Sequence, residues 1–101
     1  ELPSPELSED GMIRAGVLYA DSFGNLVTTV RAELLGRGIS WSVEVGGKTM
    51  PLVGTYAEVG EGELLALVGS GGTVEISLRD GDAAAHLGVE AGGAVLLRPG
   101  A

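Results

Sequence analysis

The sequence predicts an all-β fold, a small closed β-barrel of about seven short strands with one short helix before the last strand. Short apolar or alternating segments recur along the chain, and turn residues separate them, including 18 glycines among 101 residues. Aromatic residues make up only 4% of the chain, so the core must be aliphatic. Closure of the sheet would remove the exposed edges that a small apolar sheet otherwise presents.

The length allows one domain with one hydrophobic core. Residues 1–10 hold two prolines and four acidic residues without periodicity. This composition predicts a linker or tail with something attached before it. We therefore predict the linker over residues 1–10 and the barrel domain over residues 11–101.

The first two predicted strands form a hairpin. Residues 12–19 are rich in apolar side chains and run into a polar turn, and residues 26–30 return as a β-branched strand. Residues 32–35 then fit a single helical turn, which glycines stop.

A second hairpin follows. Residues 40–45 alternate with a period of two, and a Gly-Gly pair turns the chain into residues 48–53. Pro51 cannot donate to a strand ladder, so this segment is an edge strand or is bulged there. Trp41, on the alternating strand, is predicted to pack in the core or at its rim.

Two further strands are predicted in the second half of the chain. Residues 63–68 form an unbroken apolar run, which predicts burial on both faces. Residues 73–78 alternate, so Glu75 and Ser77 lie on the face opposite to their apolar neighbours.

The chain closes with a helix and a strand. Residues 82–88 begin with an aspartate suited to N-capping and end with a glycine, so they predict the short helix. Residues 94–98 form the final strand. His86 lies on the helix without a motif-paired acid or nucleophile, which favours a structural role over catalysis.

Charge and composition exclude several classes of function. The chain carries 14 acidic against 6 basic residues, a formal charge of −8, which disfavours a nucleic-acid partner. The absence of cysteine and the single histidine exclude thiolate chemistry and a His-rich metal site, and we predict no metal site. No segment approaches the ~20 apolar residues that cross a bilayer, and the first residues lack a signal-peptide layout. We therefore predict a cytoplasmic protein with no membrane partner.

The polar turn of the first hairpin contains an unusual cluster of side chains. Asp21 and Asn25 bracket Phe23 and Gly24, and glycine allows a backbone geometry that lets the chain approach a ligand. Asp and Asn also stabilise ordinary turns by bonding to the backbone. From this segment alone, both a structural turn and a binding element stay open.

Three separated segments together resemble one known family. They are residues 19–28 (YADSFGNLVT), residues 55–59 with 62–70 (TYAEV and GELLALVGS) and residues 81–88 (GDAAAHLG). Their order and spacing resemble the C-terminal domain of the S-adenosyl-L-methionine hydroxide adenosyltransferases, relatives of the bacterial fluorinating enzyme. The resemblance covers nearly everything after Asp10.

The resemblance implies a small β-barrel that follows a larger N-terminal α/β domain. In the family, S-adenosylmethionine (SAM) binds between an N-terminal domain and the C-terminal domain of a neighbouring subunit in a homotrimer. The residues that activate water belong to the N-terminal domain, so this chain carries no catalytic residue and, by itself, is expected to be inactive. The implied function is substrate binding in a hydrolase that converts SAM and water to adenosine and L-methionine. SAM is the substrate, and no cofactor is implied.

Carried over residue by residue, the resemblance assigns the polar turn to the substrate. Asp21 matches the carboxylate that holds the amino-acid end of SAM, and Asn25 matches the amide that reads the adenine edge. An amide offers the paired donor and acceptor that suit adenine N6 and N7. Phe23 and Tyr56 would pack on the adenine or the thioether chain.

The resemblance assigns a second group of residues around the following strand. Ser70 matches a serine at the methionine end, and Glu75 would add a second anionic contact with the ammonium group. Leu78 to Asp80 would contribute backbone groups to the base. Without the resemblance, a serine before Gly-Gly is an ordinary hairpin residue and a glutamate on an alternating strand is usually solvated.

Two alternatives stay open at this stage. The first is a halide-using relative of the hydrolase, although the one-residue insert that marks the fluorinating enzyme between the matching aspartate and asparagine is absent here, which favours hydroxide. The second is a non-enzymatic acidic β-barrel that mediates assembly, in which the glycine-rich turns serve only the fold.

Overall fold

The structure, a computed structural model of the chain, describes residues 4–100 and consists mainly of strands and turns. The strands are β1 (Glu6–Leu7), β2 (Ile13–Ala20), β3 (Leu26–Arg31), β4 (Trp41–Val45), β5 (Lys48–Pro51), β6 (Leu64–Val68), β7 (Thr73–Leu78) and β8 (Ala94–Pro99). The helix α1 (Ala83–Leu87) lies between β7 and β8, and short 3-10 helices cover Ala32–Leu35 and Tyr56–Glu58. The predicted all-β fold with one short helix before the last strand is confirmed.

Seven antiparallel strands form a nearly closed barrel in the order β5-β4-β8-β2-β3-β7-β6. The two ends of this path meet through one parallel bridge between Leu52 and Ala66, where the Val53 N–H also donates to the Ala66 carbonyl at 2.8 Å. The closed barrel that the sequence predicts is therefore joined at this seam by a short contact rather than a full ladder. Pro51 ends β5 just before the seam and pairs with β4 on its other side, so the predicted edge position is confirmed.

The core is aliphatic, as the composition predicts. Its largest buried side chains are Ile13, Leu26, Val30, Val43, Val45, Met50, Val74, Ile76 and Leu97. Trp41 is 6% exposed, and its indole N–H donates to the Leu35 carbonyl at 3.0 Å, so the predicted packing role is confirmed as a core position. The first 3-10 helix, which carries Leu35, matches the predicted helical turn.

The burial of strands β6 and β7 agrees only in part with the prediction. Burial of β6 on both faces is confirmed at Leu65 and Ala66, which are consecutive and fully buried, but Val68 at its end is exposed. On β7, Ser77 is fully buried although its face points away from the core. The Tyr56 hydroxyl lies 3.4 Å from Ser77 Oγ, so the second 3-10 helix places a side chain over this position.

The helix α1 forms because both of its ends are capped. The Asp82 side chain accepts the Ala85 N–H at 2.9 Å, and Gly88 adopts the left-handed conformation that ends the helix. The predicted helix is confirmed with both caps. His86 is exposed on its surface.

The segment predicted as a linker contains one short pairing. Glu6 and Leu7 lie opposite Arg14 and Ile13 on β2, and both are exposed. In β2, residues 13–16 pair with β8 on one side, which leaves the other edge of the strand available to β1 at this end. Residues 1–3 of the predicted linker lie outside the described residues, and the boundary at residue 10 stays a prediction.

No helix within residues 4–100 has the length and apolar character needed to span a membrane.

Candidate functional site

A row of side chains crosses four neighbouring strands on the outer face of the barrel. Tyr19 lies opposite Val27, Val27 opposite Glu75, and Glu75 opposite Leu67. The adjacent row, which contains Ile76, is buried in the core. Because successive side chains of a strand alternate between faces, the row with Glu75 points outward.

The turn between β2 and β3 is closed by the Asp21 carboxylate. Its Oδ1 accepts the N–H groups of Phe23 and Asn25, each at 2.9 Å, and its Oδ2 accepts from Asn25 Nδ2 at 3.2 Å. The Asp21 N–H also donates to the Asn25 carbonyl at 2.9 Å. These are the side chain to backbone bonds of a structural turn, and the bond to Asp21 Oδ2 also holds the Asn25 amide in place.

Gly24 joins this turn to the helix. Its φ is +86°, and a Cβ built there would lie 2.0 Å from Asp82 Oδ1. The Gly24 carbonyl also accepts the Ala84 N–H at 2.9 Å. The prediction that Gly24 lets the backbone approach a ligand stays a prediction, and the structure gives a second reason for the glycine, because the space where a side chain would lie is filled by Asp82.

The Glu75 carboxylate packs against the turn between β6 and β7. A Cβ at Gly69 would lie 1.9 Å from Glu75 Oε2, so the absence of a side chain there leaves room for the carboxylate. Ser70 directly follows Gly69 in this exposed turn. Within residues 4–100, no donor forms a hydrogen bond with the Glu75 carboxylate, which is half-buried. Ser70 therefore follows the glycine that Glu75 packs against, and its role at the methionine end stays a prediction.

The two carboxylates of this face differ in their ionisation. Burial raises the pKa of Glu75, and the negative charge of Asp21 raises it further. Burial also acts to raise the pKa of Asp21, but the bonds from Asn25 and Phe23 outweigh it and lower the pKa below its ordinary value. The Asp21 carboxylate therefore accepts three hydrogen bonds within its turn, whereas the Glu75 carboxylate accepts none from residues 4–100.

Three of the four aromatic side chains are exposed, and one of them, Tyr19, belongs to this row. Tyr19 is 53% exposed, Phe23 at the tip of the turn is 76% exposed, and Tyr56 is 42% exposed. The Tyr56 ring stands on a 3-10 helix whose start is fixed by a capping box between Thr55 and Glu58. We call the surface formed by the Tyr19-Val27-Glu75-Leu67 row and these aromatics the aromatic face.

The last two predicted site residues lie at and just after the C-terminal end of β7, the end beside the start of β3. The Leu78 side chain packs against the core, and its carbonyl accepts the Gly81 N–H at 3.0 Å. Asp80 is exposed and has a φ of 63° in the turn that follows. Neither backbone group of Asp80 bonds to another residue of the described range. The Leu78 side chain is thus apart from the aromatic face, and the exposed backbone at this end belongs to Asp80.

Residues 15–96 match the family described as the SAM hydroxide adenosyltransferase C-terminal domain. The chain belongs to this family. It is 41% identical over 76 residues, 75% of its length, to the (R)-S-adenosyl-L-methionine hydrolase of Thermus thermophilus, and the match covers 28% of that protein. The resemblance drawn from the sequence motifs is therefore confirmed.

Two solved structures share the fold of this family member. A crystal structure of an uncharacterized conserved protein from Thermotoga maritima has a TM-score of 0.78 at 26% identity, and covers 96% of this chain. A conserved hypothetical protein from Thermus thermophilus has a TM-score of 0.75 at 38% identity, and covers 97% of this chain. The chain spans 39% of each of these structures.

Sequence reasoning missed three side chains of the aromatic face in this SAM hydroxide adenosyltransferase domain. They are Tyr19, Val27 and Leu67, which flank Glu75 in the outer row. The signal that could have found them is strand register, because side chains opposite one another on paired strands share a face. Within the part of the chain that the structure describes, no group of three or more acidic, histidine or cysteine side chains could hold a metal ion.

The raised pKa of Glu75 predicts a pH-dependent penalty on folding. The folded state binds this proton more tightly than the unfolded chain, so stability falls as pH rises from the ordinary value of 4.5 through the raised pKa. We expect Glu75→Gln to increase the free energy of unfolding at pH 7, with the gain disappearing below pH 4.5. Urea unfolding of the two proteins at several pH values measures this difference in the free energy of unfolding. Glu61→Gln, in an exposed turn, is the control and should change stability by less than about 0.5 kcal/mol; equal behaviour of the two variants contradicts the prediction.

Proposed function

We propose that this domain supplies the substrate-binding surface of a SAM hydrolase, an enzyme that converts SAM and water to adenosine and L-methionine. The observation that carries the proposal is the aromatic face, which combines exposed aromatic side chains and the outward-facing Glu75 carboxylate, next to the turn that holds the Asn25 amide, on a domain of this family. An exposed apolar patch with a few convergent polar groups is typical of a binding surface.

The nucleoside part of SAM fits the turn that carries Asn25. The amide of Asn25 faces the adenine edge, and Phe23 and Tyr56 offer rings for packing on the base or the thioether chain. Stacking of a base on an aromatic ring contributes about 1 to 3 kcal/mol per base in nucleic-acid systems. We assign the backbone contacts with the base to Leu78 to Asp80, because the Leu78 carbonyl accepts only one bond, from Gly81, and keeps a second lone pair.

The amino-acid part of SAM fits the second carboxylate of the face. SAM carries an ammonium group and a sulfonium, and a half-buried carboxylate without a hydrogen-bond donor is suited to a cation. We assign Glu75 to the ammonium group and Ser70, beside it, to the methionine end. A bound cation would also relieve the charge repulsion between Glu75 and Asp21.

The aromatic face is open, so a second surface must complete the site. We infer that an N-terminal α/β domain of the same protein covers it and that a cytoplasmic homotrimer brings this domain from a neighbouring subunit.

The water oxygen attacks C5′ of the ribose, the C5′–S bond breaks, and its electron pair leaves with the methionine thioether. The attacking water loses a proton to a group outside this chain. Because the sulfonium is a good leaving group, positioning and exclusion of water supply most of the rate increase.

Asn25→Ala in the full-length protein tests the proposed site. Loss of a bidentate contact with adenine is expected to weaken adenosine binding by about 1 to 3 kcal/mol, or about 5- to 150-fold. Isothermal titration calorimetry measures the affinity for adenosine, and the release of adenosine from SAM measures the rate of the reaction. Ser22→Ala, an exposed position in the same turn, is the matched control and should stay within about twofold. Unchanged affinity for Asn25→Ala would rule out the assigned contact, and no adenosine release by the full-length protein would rule out the hydrolase.

A further inference from the structure

A second row of residues crosses the outer face of the barrel, next to the row that belongs to the aromatic face. On β7, Ser77 lies opposite Leu65 of β6, and its neighbour Ile76 lies opposite Leu26 of β3. Asn25 directly precedes Leu26, so it lies level with Ser77 at the start of β3. The second row therefore runs from Asn25 through Ser77 to Leu65.

This second row is covered although it faces away from the core. Leu65 and Ser77 are both fully buried, and Leu65 lies outside the main core cluster. The cover comes from residues 54–63, in which Val59 is buried and the Tyr56 hydroxyl lies 3.4 Å from Ser77 Oγ. A side chain on an outer face is buried only where another segment packs over it. The segment thus forms a wall beside the aromatic face, and Tyr56 is its exposed aromatic residue.

The hydroxyl groups of Ser77 and Tyr56 are partners. Within residues 4–100, Ser77 Oγ forms no other hydrogen bond. A buried hydroxyl that loses its partner is costly, whereas alanine at this position would leave no polar group to satisfy. The pair therefore directs the Tyr56 hydroxyl towards the sheet, while the residue stays partly exposed to solvent.

We propose that Ser77 is a positioning residue that holds the Tyr56 ring beside Asn25, where the ring packs on the adenine base. The proposal rests on the proposed function, in which Asn25 contacts the adenine edge, and it deepens that function. It adds a residue that acts on the base through another side chain and touches no part of the substrate.

The remaining bonds of the wall explain why Ser77 is needed. The capping box between Thr55 and Glu58 fixes the backbone at the start of the 3-10 helix, and the Arg79 guanidinium donates to the Val59 carbonyl after it. These bonds leave the side-chain torsions of Tyr56 free, and an exposed side chain changes rotamer rapidly. A hydrogen bond at the tip of the ring removes this freedom before a ligand arrives, which lowers the entropy cost of binding.

The test measures adenosine and L-methionine binding to the full-length protein by calorimetry. Ser77→Ala and Tyr56→Phe each remove one hydroxyl of the pair, and each is expected to weaken adenosine binding about fivefold, because the ring loses its fixed orientation. L-methionine binding should stay within about twofold in both variants. The double variant should bind adenosine within about twofold of either single variant, because the two changes remove the same hydrogen bond. Ser42→Ala, at a half-buried position on β4, is the control and should leave both affinities within about twofold.

Tyr56→Ala separates positioning from a purely structural role of Ser77. This variant is expected to bind adenosine about tenfold more weakly, and adding Ser77→Ala should change the affinity by no more than about twofold, because no ring is left to position. A further loss on adding Ser77→Ala overturns the proposal, as do unchanged adenosine affinity in Tyr56→Phe and equal losses for adenosine and L-methionine in Ser77→Ala. Failure of the unsubstituted protein to bind adenosine or SAM would instead refute the proposed function. Thermal unfolding of each variant confirms that it is folded, and Tyr56→Phe, at an exposed position, tests the same bond if Ser77→Ala does not fold.

Discussion

Replacing Gly24 with alanine is expected to lower the free energy of unfolding by about 2 to 4 kcal/mol. The φ of +86° at this position costs an L-residue about 1 to 2 kcal/mol. The new methyl group would also lie 2.0 Å from Asp82 Oδ1, so the Asp82 side chain must move. That movement removes the N-cap of α1, a loss of about 1 kcal/mol. Urea unfolding of the chain measures the change.

Gly92→Ala is the matched control for this prediction. Gly92 has a φ of +91°, nearly the same as Gly24, but no atom lies within 4 Å of the Cβ that a side chain would add. The control should therefore show the backbone strain alone, about 1 to 2 kcal/mol. A double variant with Gly24→Ala and Asp82→Ala should lose less free energy of unfolding than the sum of the two single-variant losses, because the clash with Asp82 is absent. Equal losses in Gly24→Ala and Gly92→Ala would contradict the role of Asp82.

Gly24 illustrates what sequence reasoning supplies and what it omits. The glycine in a polar turn correctly predicts an unusual backbone conformation. Its neighbour in space is Asp82, which is 58 residues further along the chain. No local pattern predicts that contact. The structure shows that Gly24 leaves room for the Asp82 side chain, which caps α1, so this glycine links the turn between β2 and β3 to the helix.

The elements that were predicted well are those whose signals are local. The alternation of residues 40–45, the Gly-Gly turn after them and the caps of residues 82–88 are all contained in short windows. Hydrophobic periodicity also places Ile76 in the core. Each of these signals acts between neighbours in the chain, so no knowledge of strand order is needed.

The features that were predicted incompletely depend on which strands meet. Ser77 is buried because Tyr56 stands over it, and the two are 21 residues apart. The barrel closes through a single bridge rather than a full ladder, which depends on the order of all seven strands. For the same reason the sequence found Glu75 but not its flanking partners Val27 and Leu67, whose place follows from strand register.

Ile76→Ala is expected to lower the free energy of unfolding by about 2 to 5 kcal/mol. The Ile76 side chain is fully buried on β7, between Leu26 on one neighbouring strand and Ala66 on the other. Because Ala66 is already small, little side-chain volume is available to fill the cavity, which favours the upper half of this range. A loss of this size is a large part of the roughly 5 to 15 kcal/mol that typically stabilises a domain.

Ile39→Ala provides the same substitution at a position where the side chain is 48% exposed. We expect it to cost less than about 1 kcal/mol, and urea unfolding of both variants measures the difference. Similar losses at the two positions would contradict the placement of Ile76.

On β7, Ile76 points inward while Glu75 points outward between Val27 and Leu67. The packing of one side chain therefore holds the strand that presents the other, and a loosened core at Ile76 should also weaken the binding of a ligand that depends on Glu75.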